Sequence, residues 1–267
     1  MSKIKLIALD IDGTLMNSQR EISVANREAI RLAEAQGIPV ILATGRMYRS
    51  ARQFKDLFTT DLPVIAYNGA MIRNFEDGEI LYQQNMPPGE VRPIYERTKE
   101  YGLHTNFYIN DTLIAHEGHD WIQGYAEHVN VPYQTLSDQE LQRRFEEGDI
   151  IKMVAMAEED KVDYFLEKEY NHFKERLYLV KSLPFFLEIA HLGVNKGTGL
   201  LALGERWGID PQDMMAIGDN LNDQEMLELV GHPVIMDNGH ESLKNRGWFR
   251  TRTADEDGVA HAIHTLI

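Results

Sequence analysis

Two carboxylates one residue apart, Asp10 and Asp12, stand at the end of an apolar run from Ile4 to Leu9 that only Lys5 interrupts. A Gly13-Thr14 turn follows. The run is short and nearly continuous, which reads as a buried strand. If the strand continues, its two-residue alternation puts Asp10 and Asp12 on one side. In an open α/β sheet, ligands sit just beyond the carboxyl ends of the strands. Two anions held together at that edge repel, at a cost of about several kcal/mol per buried ion without a partner. A divalent cation removes the conflict, and Mg²⁺, which prefers oxygen ligands and retains waters, suits such a pair. Alone, D-x-D is common, and a strand end followed by a polar turn accounts for it equally well.

Three further stretches carry chemistry in the same kind of place. Thr44-Gly45-Arg46 ends a second apolar run, Pro39 to Ala43. A hydroxyl and a backbone N–H there can donate to a phosphate oxygen, and Gly allows close approach. An ordinary turn fits that tripeptide too. Lys196 follows the run Phe185 to Ala190 and a short loop, and it opens a predicted helix. The macrodipole is positive at a helix start, so a local anion would relieve the tension there. A solvated lysine is the plainer reading. The string Gly218-Asp219-x-x-Asn222-Asp223 ends the run Met214 to Ile217. Capping by Asp219 or Asn220 explains one of its side chains, but not the whole string.

Taken in order, D-x-D-G-T-L at 10–15, Thr44, Lys196 and Gly218-Asp219-x-x-Asn222-Asp223 resemble the four motifs of the haloacid dehalogenase-like phosphatases. Asn68-Gly69-Ala70, Met236-Asp237-Asn238 and Asp257-Gly258-Val259-Ala260 are similar to the Cof-type branch, as is a large insertion after the Asn-Gly step. Gly239 departs from the branch, whose members commonly have Ala there; no functional consequence is expected. The resemblance implies an Mg²⁺-dependent phosphomonoester hydrolase acting on small phosphorylated metabolites, sugar phosphates in particular. Asp10 would be the nucleophile and form an aspartyl phosphate, and Asp12 the general acid and base. Lys196 would neutralise phosphate and nucleophile, Thr44 and Asn222 would bind phosphate, and Gly45 and Arg46 would help position the substrate. Mg²⁺ would be held by Asp10, the Asp12 backbone carbonyl and Asp219, with Asp223 supporting the site. Two other functions use the same residues: a phosphosugar mutase, and a non-catalytic phospho-acceptor or ligand-binding regulator. A base at Asp12 hastens hydrolysis of an acyl phosphate and so speaks against the acceptor.

The elements that must position these residues follow from periodicity. Strand, helix, strand, helix, strand fill the first third of the chain: Ile4 to Leu9, a helix capped by Ser23, Pro39 to Ala43, a helix through Phe54 and Leu57, and Pro63 to Ala66. That order predicts a parallel sheet with right-handed crossovers. Met71–Asn74 and Glu79–Tyr82 flank Asp77-Gly78 as a hairpin. From residue 84 to 186 helices and strands alternate without chemical motifs, and the first pattern resumes with Phe185 to Ala190. The expected architecture is α/β: a Rossmann-like parallel-sheet core from residues 1–83 and 187–267, with an α+β cap domain inserted at 84–186. Joined to the core by two chain segments, such a cap is expected to govern specificity.

Composition narrows the partners. The 267 residues carry 27 basic and 42 acidic side chains, a net charge of −15, which excludes a basic nucleic-acid footprint. An anionic substrate then needs local positive charge. There is no cysteine, so disulfides, thiolate zinc sites and cysteine nucleophiles are excluded. With no signal-peptide pattern and no apolar run of membrane-spanning length, a cytoplasmic protein without a membrane partner is expected. His116-Glu117-Gly118-His119 lacks the H-E-x-x-H spacing of zinc proteases, and His261 and His264 read as surface residues. Nothing in the sequence speaks to oligomeric state.

Overall fold

The computed structural model describes residues 3–116 and 121–267. The chain forms two compact units, one from residues 1–82 and 195–267, the other from 83–194. In chain order the first unit begins with β1 (Leu6–Leu9), α1 (Val24–Ala35), β2 (Val40–Leu42) and α2 (Tyr48–Ala51), the last running on as a 3₁₀ turn over Arg52–Leu57. It continues with β3 (Pro63–Ala66), β4 (Met71–Asn74) and β5 (Ile80–Gln83). The second unit contains α3 (Pro88–Glu100), β6 (His104–Ile109), β7 (Thr112–His116), α4 (Trp121–Val129), β8 (Tyr133–Leu136) and α5 (Asp138–Glu147). It ends with β9 (Ile150–Met156), α6 (Glu159–Phe173), β10 (Leu177–Leu183) and β11 (Phe186–His191). The first unit resumes with α7 (Lys196–Trp207), β12 (Met214–Gly218), α8 (Gln224–Leu229) and β13 (His232–Ile235), then α9 (Glu241–Lys244), β14 (Phe249–Arg250) and α10 (Gly258–Leu266).

The first unit is built on a parallel sheet of order β14-β13-β12-β1-β2, as the strand–helix alternation predicts. Its strands are runs of Leu, Ile, Val, Met and Ala, buried along β1, β2 and β12, the pattern of strands covered on both faces. Leu6 and Ala8 of β1 and Met214 and Ala216 of β12 share a core with Leu200 and Leu203 of α7 and Met226 and Leu227 of α8. Ser23 caps α1 through its Oγ, which accepts from Asn26 N, and α1 packs with α10. The third strand differs from the expectation of a plain parallel sheet. Among the described residues β3 meets β2 through the parallel Ala43–Ile65 bridge, and its longer ladder is antiparallel, with β4.

The second unit is an α+β body around a six-stranded sheet of order β10-β11-β9-β6-β7-β8. One sheet face, with Phe107, Met153, Leu187 and Ile189, shares an apolar core with α3, α5 and α6. Residues of the opposite register include a Lys152–Glu188 ion pair at 3.0 Å. The boundary expected at residue 187 is corrected here. β11 lies between β9 and β10, and Leu187 and Ile189 belong to the core of the second unit. The first unit therefore resumes at Asn195, not at 187. Of the His116–His119 candidate, His116 pairs with Asp138 at 3.1 Å; Glu117, Gly118 and His119 lie outside the described residues.

Glycine sets how closely α7 approaches the sheet. A Cβ on Gly199 would stand 2.7 Å from Ile65 Cγ2 and 2.9 Å from Gly69 Cα, and one on Gly69 would stand 2.1 Å from Asn195 O. Gly199→Ala is expected to lower stability by about 1–3 kcal/mol through overpacking, read as a shifted urea midpoint at constant slope. An unchanged midpoint would show that α7 can retreat without cost.

Candidate active site

Every residue singled out from the four motifs lies in the first unit. Asp10 follows β1, Asp219 follows β12, Thr44 stands two residues past β2, and Lys196 opens α7. Parallel pairing of β1 with both β2 and β12 brings the three strand ends to one edge. The helix start joins them through close packing. Asn195 and Thr198 form a capping box, and Gly197 leaves no room for a Cβ, which would stand 2.6 Å from Glu225 O. Lys196 is thereby carried inside with no exposure, so the solvated reading is overturned. Its Nζ donates to Asp10 Oδ1 at 2.5 Å and to Asp223 Oδ1 at 2.6 Å. These are the anions that a cation at a helix start calls for.

Asp223 is wholly buried and fully engaged. Its Oδ2 accepts from the backbone N–H groups of Asp219 and Asn220, both at 2.9 Å, while Oδ1 holds Lys196. Asn220, not Asp219, takes the capping role: its Oδ1 accepts from Leu221 N at 2.8 Å. Asp219 is left to face the site, where Thr14 Oγ1 donates to its Oδ1 at 2.8 Å. The turn that brings Thr14 there requires glycine, because Gly13 has φ +81° and a Cβ would stand 2.5 Å from Asp219 Oδ2.

Carboxylate oxygens of Asp10, Asp219 and Asp223 lie within 4.8 Å of one another. Three carboxylates against one ammonium leave two negative charges uncompensated. The titration behaviour reflects this excess. Burial and the Asp223 charge push the Asp10 carboxyl well above its usual value, against the pull of Lys196. The same two causes push Asp219 up to about 6. Burial disfavours the Lys196 charge, but Asp10 and Asp223 more than offset it and hold the ammonium above its ordinary value. An all-oxygen donor set two charges short of neutrality fits a hard divalent cation such as Mg²⁺, with Asp10 and Asp219 offering the oxygens.

Asp12 stands apart. β1 ends at Leu9, so Asp12 belongs to a turn and does not extend the strand alternation to a second site carboxylate. Its side chain is 54% exposed and forms a two-point pair with Arg46, at 2.7 Å from Nε and 2.6 Å from Nη2. Burial alone would raise its pKa; the Arg46 bonds and charge, with Lys196 and Arg20, bring it below the ordinary carboxylate value. The structure thus gives Arg46 an acid as its partner. Thr44 is buried, and its N–H donates to Ile65 O at 2.8 Å, so only its hydroxyl faces a phosphate role. That hydroxyl accepts from Arg46 N at 3.1 Å and keeps its proton to give. Gly45 packs against Asn68, where a Cβ would stand 2.9 Å from Oδ1. Asn222 Nδ2 donates to the same Oδ1 at 3.2 Å. Asn68, with φ +53°, is a site neighbour that the sequence marks only through the Asn68-Gly69-Ala70 resemblance, without a role; an Asn-Gly step suits left-handed backbone.

The raised acids fix a pH dependence. A folded-state pKa near 6 for Asp219 exceeds the ordinary 3.8, so the folded metal-free protein binds the extra proton between those values. Its contribution to stability is present at lower pH and is lost as pH rises through about 6. Mg²⁺ binding needs the ionised forms, so its stabilising effect grows over the same window. The Mg²⁺-induced rise in Tm is expected to be several degrees at about pH 7.5 and to shrink toward zero near pH 4.5. A rise independent of pH would place the cation elsewhere.

Residues 7–263 match the haloacid dehalogenase-like hydrolase family. A Streptococcus pyogenes protein named as a candidate phosphatase is 33% identical over 271 residues, covering 99% of this chain and 98% of its own. A Bacillus subtilis 5-amino-6-(5-phospho-D-ribitylamino)uracil phosphatase is 30% identical, covering 99% and 98%. Among solved structures, a Thermotoga maritima protein superposes with a TM-score of 0.87 at 30% identity, covering 99% of this chain and 98% of that one. With the four motifs gathered at one sheet edge, the chain belongs to the haloacid dehalogenase-like hydrolases and is a phosphatase.

Proposed function

We propose that the protein hydrolyses small phosphorylated metabolites, sugar phosphates in particular, with Mg²⁺ and through an aspartyl phosphate on Asp10. One observation carries the reading: a fully buried lysine bridges the proposed nucleophile Asp10 and Asp223, beside an acid that faces the site. Asp10 attacks phosphorus in line as the bond to the leaving oxygen breaks. Asp12 gives a proton to the departing alkoxide, then takes one from the water that splits the acyl phosphate, freeing inorganic phosphate and restoring Asp10. Because Asp12 is ionised and paired with Arg46 in the free protein, that pair opens and Asp12 takes up a proton from solvent before it acts as an acid. Lys196 and the Thr44 hydroxyl offset charge on the equatorial phosphoryl oxygens, where phosphoryl transfer draws most of its catalysis. Asp10, the Asp12 backbone carbonyl and Asp219 would hold Mg²⁺, which would supply further charge neutralisation there. Asp223, with both oxygens committed, supports Lys196 and the Asp219 turn.

The Bacillus relative acts on the phosphate of a polyol chain, which favours an alkyl phosphate as the substrate class. The motif residues of the first unit account for phosphate and metal, so discrimination among leaving groups falls to residues 83–194. A phosphosugar mutase would return the phosphoryl group to an organic product; the proposed hydrolysis yields inorganic phosphate. The half-exposed Asp12 speaks against a long-lived phospho-acceptor, because a base beside the anhydride shortens its life.

Phosphate release with Mg²⁺ across a panel of sugar phosphates and p-nitrophenyl phosphate tests the reading. Asp10→Asn is expected to abolish release while the fold persists, since an amide is a poor nucleophile. Asp12→Asn should slow sugar phosphates by about 10²–10⁴-fold, and p-nitrophenyl phosphate less, because its leaving group needs little protonation. Near-parental turnover by a folded Asp10→Asn protein would sink the assignment. Replacing residues 83–194 by a Gly/Ser linker should leave slow Mg²⁺-dependent hydrolysis of p-nitrophenyl phosphate without ranking among sugar phosphates. A folded core that keeps the parental ranking contradicts the role given to the insertion.

A further inference from the structure

The two loops that bear the proposed cation oxygens, the Asp12–Thr14 turn and the Gly218–Asp219 strand end, are both gripped by a third loop, residues 236–240. Asn238 Nδ2 donates to Gly13 O at 2.8 Å, and Asn238 Oδ1 accepts from Ala254 N at 2.8 Å. His240 N donates to Asp219 O at 2.7 Å, and Met236 N to Gly218 O at 3.0 Å. Between these bonds Gly239 is buried, and a Cβ there would stand 2.9 Å from Asp219 O, 2.8 Å from Met236 O and 3.0 Å from Ile235 Cδ1. An alanine at 239 would thus force this loop off the Asp219 carbonyl or move the carbonyl itself.

We propose that loop 236–240 positions the cation-binding oxygens: Asn238 sets the Gly13 carbonyl, and Gly239 lets the loop seat directly on the backbone of Asp219. Neither residue is among the proposed phosphate or cation ligands, so both are positioning residues, and the inference rests on the Mg²⁺ reading above. The geometry favours this over general fold support. Other side-chain ties between the C-terminal segment and residues 13–26 end elsewhere. Asp255 Oδ1 accepts from Ser18 N at 2.8 Å, and Asn26 Oδ1 from Ala260 N at 2.9 Å. Only loop 236–240 reaches the carbonyls of Gly13 and Asp219 among the described residues. Those carbonyls belong to the same short segments as the Thr14 hydroxyl and Asp219 carboxylate, themselves joined at 2.8 Å. A shift at either carbonyl changes the separation of the cation's oxygens, and Mg²⁺ tolerates little departure from octahedral geometry.

The test is calorimetric titration of the full-length, phosphate-free protein with Mg²⁺ alone, beside its thermal unfolding. Asn238→Ala should raise the Mg²⁺ Kd by about 3–10-fold, the loss associated with one hydrogen bond. Gly239→Ala should raise it by a similar factor through a different change. Asp255→Ala, which removes the neighbouring tie at Ser18, should leave the Kd unchanged even where it lowers Tm. A parental Kd in folded Asn238→Ala and Gly239→Ala proteins overturns the proposal, as does an equal rise in Asp255→Ala. If Asn238→Ala does not fold, Gly239→Ala decides alone. A parent that binds no Mg²⁺ rejects the cation reading along with the positioning role.

Discussion

A single buried ammonium holds the site in its arrangement. Lys196 has no access to water, so its charge is tolerable only because Asp10 and Asp223 meet it at 2.5 and 2.6 Å. Removing one partner of such a group leaves an uncompensated buried ion, a loss of about 3–5 kcal/mol in other proteins. The constraint runs in both directions. Asp10 cannot turn away without stranding Lys196, and Asp223 cannot leave without also releasing the Asp219 and Asn220 backbone N–H groups. The proposed nucleophile, the buried ammonium and the Asp219 turn are therefore fixed by one set of charges.

Holding those charges at such distances demands close approach of backbone to backbone, and glycine permits it. A Cβ on Gly13 would strike the Asp219 carboxylate, one on Gly218 would stand 2.6 Å from Asp223 Cβ, and one on Gly197 would meet the Glu225 carbonyl at 2.6 Å. Each of these glycines adjoins a charged site residue in sequence or presses on one in space. Their contribution is geometric: they let a strand end, a helix start and a turn occupy one small region without strain.

Much of this was legible in the sequence because the chemistry is local. Asp10, Lys196 and Asp219 each follow or open an element whose periodicity is plain, and parallel strands beside one another necessarily bring their ends to one edge. What escaped was non-local. Phe186–His191 has the composition of any buried strand, and no residue in it says which sheet it will enter. Only its pairing between β9 and β10 assigns it to the insertion. The Arg46–Asp12 pair joins residues 34 apart across a turn where strand alternation had already stopped. Asn68 and Asn238 are marked by resemblance but given no partners; their hydrogen bonds reach loops distant in sequence, which composition alone does not reveal. The fate of Thr44 N–H was equally hidden, because it depends on β3 passing alongside.

The two acids of D-x-D differ in environment as much as their proposed roles differ. Asp10 is buried, pressed by Asp223 and held by the Lys196 ammonium. Asp12, two residues on, is half exposed and paired with the Arg46 guanidinium. A nucleophile gains from fixed orientation, because attack on phosphorus requires alignment before it requires anything else. An acid that must give a proton and later take one gains from access to water and from a partner that can leave. The end of β1 at Leu9 produces this division: one residue past the strand remains in the sheet's interior, and three past it the chain has turned outward. A strand longer by two residues would have put both carboxylates on the buried side, where the second could neither exchange protons with solvent nor reach Arg46.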